Sequence, residues 1–236
     1  MRHRIRFIDL DRLNRDLNKL KLAVYESYWL LKRGYKKESV INFVSNHYQL
    51  LSFEREILQK AATLRYKRGV KNLKDKKIFI DGFNILITAE ASLAKSLIIK
   101  CSDGCYRDLS SVHGSYRFVY ETKDAINIIL DTLQKLNIKE AVFVFDKNVS
   151  NSIKISNLVK EIGKNRDFSV DAVAIEKVDN FLKNSEEIVA TCDSAIIKNL
   201  KKWFNLSAFL LENVYKNAKV LDLDIKKDPR LDREGK

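Results

Sequence analysis

The chain has 236 residues, 45% of them apolar and 32% charged, a composition that can bury a sizeable core and does not suit a disordered chain. Lys and Arg outnumber Asp and Glu 44 to 31, a formal charge of +13, which suits a polyanionic partner or a heavily solvated basic surface rather than an acidic docking face. Three cysteines, Cys101, Cys105 and Cys192, are too few for a disulfide framework or a four-ligand zinc site. The basic start Met1-Arg2-His3-Arg4 lacks a signal-peptide apolar run, and no apolar stretch reaches the length of a membrane span. The expectation is therefore a cytoplasmic protein with no membrane association.

The charge is uneven. Residues 1–70 hold 16 Lys and Arg against 7 Asp and Glu, +9 of the total +13, so an electrostatic docking surface is expected there. From Leu13 the apolar residues Leu17, Leu20, Val24, Tyr28 and Leu31 recur at steps of three and four, the period of one helix face. Gly34 is placed to end that helix. Val40, Phe43, Val44 and His47 mark a second short helix, with His47 half-buried. A third begins at Ser52, read as its N-cap, with Glu54 and Glu56 in the first turn. These three helices form a small basic domain, 1–70, closed by Arg65-Tyr66-Lys67-Arg68-Gly69-Val70-Lys71, a linker or a phosphate contact.

After Lys77 the period changes. Ile78-Phe79-Ile80, Ala141-Val142-Phe143-Val144-Phe145 and Ile188-Val189-Ala190-Thr191 are apolar β-type runs of the kind that form buried parallel strands. Helical patterns around Ala125–Leu136, Ile155–Ile162 and Ala195–Trp203 separate them, and Ser169–Ile175 and Ala208–Leu211 complete five expected strands. The alternation predicts an α/β domain over 71–222, with a parallel five-stranded sheet and helices on both faces. Ser96–Lys100 and Cys105–Leu109 flank Ser102-Asp103-Gly104 and read as a hairpin inserted beside the first strand. The charged segment 223–236 reads as a frayed tail.

In open parallel sheets ligands bind beyond the C-terminal ends of the strands. Three strands run into aspartate there, at Asp81, Asp146 and Asp193. Each alone could be the N-cap of the next helix. Three on one edge repel one another unless a cation neutralises them or a pKa rises, which favours a divalent metal. Oxygen ligands without clustered histidines select Mg2+ or Mn2+. Asp179, opening a short helix, is a fourth candidate. Asn84, Ser150, Ser194 and Lys147 lie where they could meet a substrate phosphate, although each also has a plain turn, cap or surface role. Ser152 reads as a helix cap, Cys101 and Cys105 as packing, and Trp29 and Trp203 as core or edge anchors.

Asp81-Gly82-Phe83-Asn84 after a strand, Phe145-Asp146 ending another, Asp179 opening a helix and Val189-Ala190-Thr191-Cys192-Asp193-Ser194 resemble the motifs of PIN-like nuclease domains, in particular the NYN branch, over about residues 76–212. The resemblance implies a PIN-like fold whose acidic residues bind Mg2+ or Mn2+ and which cleaves RNA more often than DNA. Asp81, Asp146 and Asp193 would be catalytic. The whole chain also resembles a mostly archaeal family of unknown function that joins a helical N-terminal domain to a PIN-like domain.

Many PIN domains carry a further acidic residue in a helix after the first strand. Glu90, Asp103, Asp108, Glu121 and Asp124 compete for that place, with Asp108 preferred. A catalytically silent nucleic-acid-binding or complex-assembly protein is the alternative function. A phosphatase of the haloacid-dehalogenase type would need a second aspartate two residues after Asp81, where Phe83 stands.

Overall fold

A computed structural model describes residues 13, 16–66, 69–110 and 114–225. His3, His113 and the charged tail beyond residue 225 lie outside the described residues. The chain divides into two compact units: residues up to 65 with 97–110 and 220 onward, and residues 66–96 with 111–219.

The first unit contains helices α1 (Leu17–Lys32), α2 (Lys37–His47) and α3 (Ser52–Ala61). Gly34 follows α1 with φ +89°, the left-handed conformation its sequence position predicted. Ser52 is not the cap of α3 but its first residue. Leu51 holds the cap position, and its N–H donates to the Glu54 carboxylate at 2.7 Å. His47 is exposed rather than half-buried, its ring edge-on to Tyr48.

The expected hairpin is present as β2 (Leu97–Lys100) and β3 (Tyr106–Asp108), paired antiparallel. It belongs to the helical unit, however, and is not an insertion in the 71–222 domain. Ile99, Cys101 and Leu109 join Leu20, Val24, Val44, Ile57 and Leu58 in one apolar core. The Ser102 hydroxyl is hydrogen-bonded to the carbonyls of Ala61 and Thr63. The third strand of this sheet comes from the far end of the chain, β8 (Lys219–Asp222), in the order β3-β2-β8. The division at residues 70 and 222 thus separates segments that share a core, because pairing across 120 residues leaves no local signature.

The second unit is the parallel sheet. Its strands are β1 (Lys77–Asp81), β4 (Glu140–Asp146), β5 (Ser169–Ile175), β6 (Ile188–Ala190) and β7 (Trp203–Phe204), in the order β5-β4-β1-β6-β7. Helices α4 (Gly82–Leu93), α5 (Thr122–Lys135) and α6 (Ser152–Gly163) connect the first strands, and α7 (Val178–Lys183), α8 (Ser194–Ile197) and α9 (Leu206–Asn213) the rest. The fifth strand is not Ala208–Leu211, which is helical in α9. That apolar run was too short for periodicity to separate strand from helix. Trp203 and Phe204 form the strand, with the Trp203 indole N–H donating to the Thr191 carbonyl at 2.9 Å. Beyond β7, Gly69 forms a parallel bridge to Trp203 and Val70 N–H donates to its carbonyl, so this part of the basic stretch docks on the sheet edge.

Candidate functional site

Strand order decides where the sheet can open. From β1 the chain moves outward through β4 to β5, then crosses back to place β6 on the opposite side of β1. The connection leaving β1 runs to the β4 side and the one leaving β6 runs to the β7 side, so the crevice of this sheet lies above the C-terminal ends of those two strands. Asp81 ends β1, and Thr191-Cys192-Asp193 follows β6 directly.

Register sets the contacts. Ile80 pairs with Ala190, which brings Thr191 level with Asp81 on the adjoining strand. Its hydroxyl donates to Asp81 Oδ2 at 2.7 Å and accepts the Asp193 backbone N–H at 3.1 Å. Asn84, in the first turn of α4, accepts the Cys192 N–H on its side-chain oxygen at 2.8 Å. That leaves the amide N–H groups of Asn84 as the donors it can offer a ligand. Asp193 is the N-cap of α8, its Oδ1 accepting the Ala195 N–H at 2.7 Å. Ser194 is the first residue of that helix, beside the cap.

Burial raises the Asp81 carboxyl, the Thr191 hydrogen bond lowers it, Asp193 and Asp179 raise it again, and the Asn84 backbone N–H lowers it. The net result is a pKa of about 7. Removal from water disfavours the charged form more than two hydrogen bonds can offset, and two nearby carboxylates add to the effect. Asp179 enters through Lys177, whose φ of +54° turns the chain from β5 into α7. Its carboxylate is exposed and lies 3.4 Å from Lys183.

The remaining sequence candidates are distributed differently. Asp81 pairs with Val144, so Asp146 stands two residues further along β4, about 6.6 Å beyond the level of Asp81 at the usual strand rise. Its Oδ1 accepts the Asn148 N–H at 2.9 Å, closing its own loop. Asp108 lies in the helical unit, where Oδ1 accepts the Ser110 N–H at 2.7 Å. Asp103, in the same unit, is paired with Arg107. Glu121 is the cap position of α5 and Asp124 lies in its first turn. Lys147 is exposed beside Asp146. Among the described residues, no three Asp, Glu, His or Cys side chains stand close enough to hold one metal ion between them.

Ser150 is committed elsewhere. Its hydroxyl accepts the Tyr116 N–H at 3.1 Å and donates to the Tyr116 carbonyl at 3.2 Å. Ser152 is not a cap; it is the first residue of α6, after Asn151 in the left-handed conformation. The Thr191 hydroxyl, which links both aspartates, was not among the candidate site residues. Glu90, a candidate for the further acidic ligand, is buried in α4, where its Oε1 accepts from Tyr116 Oη at 2.5 Å and Thr122 Oγ1 at 2.6 Å.

Cys101, Cys105 and Cys192 are buried, consistent with packing. Among the described residues, no helix is long and apolar enough to cross a membrane. No solved structure matches the chain. A family model described as a protein of unknown function, DUF434, matches residues 19–68. The chain is 36% identical over 198 residues to an uncharacterized protein, MJ0935, of Methanocaldococcus jannaschii, with 80% of this chain and 94% of that protein covered. A second model, a domain of unknown function termed DUF5616, matches residues 70–209, and with more than half its length so matched the chain belongs to that uncharacterized family.

Proposed function

We propose that this protein is a PIN-like, Mg2+- or Mn2+-dependent nuclease that hydrolyses phosphodiester bonds, RNA before DNA, at the crevice above β1 and β6. The observation that carries the reading is Asp81. A carboxyl at the switch point of a parallel sheet has its pKa raised to about 7 by burial and by Asp193 and Asp179, the signature of an acidic cluster poised for a cation or a proton.

The donor set fits a hard cation in one respect. Mg2+ commonly takes one or two carboxylates and keeps water at its other positions, and Asp81 and Asp193 are the pair that Thr191 holds together. Asp179 adds negative charge from α7. A bound divalent ion would orient the phosphate and activate water for attack. The chain's own residues do the rest. Asp81 gives up its proton near pH 7, Thr191 fixes the carboxylate that results, and Asn84, whose side-chain oxygen is taken by the Cys192 N–H, has its amide N–H groups to offer a ligand. The N-terminal basic excess and Lys147 supply charge for a phosphate backbone.

The catalytically silent alternative draws on Asp146, whose carboxylate closes its own loop. The test is cleavage of end-labelled RNA and DNA oligonucleotides with Mn2+, Mg2+ or EDTA, using wild type, Asp81→Asn and Asp193→Asn. Metal-dependent cleavage lost in both variants supports the nuclease. Oligonucleotide binding without cleavage under any of these conditions supports the silent module.

A further inference from the structure

The segment ahead of α5, residues 114–121, does not pack as a loop of its composition should. Tyr116-Arg117-Phe118-Val119-Tyr120 has no regular secondary structure, yet Phe118 is 42% exposed and Tyr120 94% exposed. Arg117 is exposed between them. Scattered surface aromatics need no explanation, but two aromatics and a guanidinium within four residues, on a backbone tied down at both ends, do.

The ties are specific. Ser115 bridges Ser150 in parallel fashion, Ser150 N–H donates to the Gly114 carbonyl, and Asn151 Nδ2 donates to the Tyr116 carbonyl at 2.7 Å. Tyr116 is fully buried, with its hydroxyl on Glu90. At the other end Val119 N–H donates to Thr122 Oγ1 at 3.0 Å, and that hydroxyl itself donates to Glu90. One buried carboxylate therefore anchors both ends of the exposed stretch. This gives Glu90 a role without placing it in the metal site.

The stretch is also joined to the acidic edge. Ser150 and Asn151 belong to the loop that starts at Asp146. A chain of ring contacts runs from Phe145 to Phe83 at 5.0 Å, Phe83 to Tyr116 at 5.0 Å and Tyr116 to Phe118 at 5.6 Å. Phe145 precedes Asp146, and Phe83 lies two residues after Asp81. We propose that Arg117, Phe118 and Tyr120 form a stacking platform for the unpaired bases of a single-stranded nucleic acid whose backbone passes the Asp81–Asp193 crevice.

This rests on the nuclease reading above and extends it to how the substrate is gripped. A ring already held, as Phe118 is against Tyr116, loses little entropy on stacking. Every base offers a π-face, and the adjacent guanidinium meets the phosphate or stacks itself. Paired bases are already stacked on one another and cannot use such a platform.

The test is fluorescence-anisotropy binding of the full chain to a 12-nucleotide oligo-U, an oligo-dT and a duplex of equal length, in EDTA so that cleavage plays no part. Phe118→Leu and Tyr120→Leu are expected to weaken both single-stranded probes at least fivefold, and Tyr120→Phe to leave them within twofold. Duplex binding is expected to be unchanged. Arg117→Ala is expected to lower the salt slope by about 0.7. Oligo-U and oligo-dT affinities separate an RNA from a DNA source for the bases. Equal binding by wild type and both leucine variants overturns the platform, as does equal loss on the duplex or no binding by wild type. Metal-dependent cleavage with unaffected leucine variants would leave the nuclease and remove the platform; impaired binding without any cleavage would do the reverse.

Discussion

The Thr191 hydroxyl donates to Asp81 Oδ2 at 2.7 Å while accepting the Asp193 N–H at 3.1 Å. One buried side chain thus holds the two aspartates that flank the switch point. Removing the hydroxyl in Thr191→Val takes away the strongest force keeping Asp81 ionised, and its carboxyl should titrate higher still. Mn2+ affinity near pH 7 should fall several-fold, while Thr191→Ser should behave like wild type. Isothermal titration with Mn2+ across pH 6–8 measures both. Equal affinities for the valine and serine variants would show that the hydroxyl does not govern the site.

Asp81 also ties stability to pH. Its folded pKa, about 7, lies above the ordinary 3.8, so between those values the folded chain binds more protons than the unfolded one. Stability from this group is therefore complete below about pH 4 and declines as pH rises through 7, by up to about 4 kcal/mol with partial exposure reducing it. Asp81→Asn should abolish that decline and be more stable than wild type at pH 8 without metal. Denaturant melts of both proteins at pH 5 and pH 8 in EDTA provide the check. A wild-type advantage at pH 8 would contradict the raised pKa.

Much of the sheet was legible because a fully buried parallel strand writes itself as a continuous apolar run. Ile78–Ile80, Ala141–Phe145 and Ile188–Ala190 all became strands, and the aspartates followed them as read. Register was not legible. Nothing local tells that Asp81 pairs with Val144 rather than lying level with Asp146, and that offset determines which carboxylates meet. The union of Leu97–Ser110 with β8 was hidden for a similar reason, since both partners are short and lie over 100 residues apart. The Ala208–Leu211 error came from four apolar residues whose period is undefined at that length.

Gly82 is required by its neighbour. A Cβ built there would lie 2.5 Å from the Phe145 ring, a contact with a ring that is itself packed against Phe83 at 5.0 Å. Gly82→Ala should destabilise the chain by about 1–3 kcal/mol through overpacking, despite the better helix propensity of alanine. Gly82→Ala combined with Phe145→Leu should recover part of the loss. Thermal melts of the single and double variants test this, and additive effects would mean the clash is relieved elsewhere.

The hairpin of the helical unit depends on one ion pair. Arg107 reaches Asp103 with both terminal nitrogens, at 3.0 and 2.6 Å, and Asp103 Oδ1 also accepts the Cys105 N–H across the turn at 2.9 Å. Burial pushes the Asp103 carboxyl up, but the Arg107 charge and hydrogen bonds, with those from Cys105 and Thr63, outweigh it and hold the pKa below the usual carboxylate value. The sign is opposite to that of Asp81. Stability from Asp103 is present above about pH 4 and is lost as pH falls through the lowered folded value. Asp103→Asn leaves the buried guanidinium without its counter-charge and should cost about 3–5 kcal/mol at pH 7. Adding Arg107→Met removes the stranded charge and should restore a good part of that, although the turn keeps only a neutral acceptor. Urea melts of wild type, both single variants and the double variant at pH 7 and pH 3.5 complete the cycle. Coupling that is large at pH 7 and shrinks at pH 3.5 is expected, whereas pH-independent coupling would mean that packing, not charge, holds the hairpin.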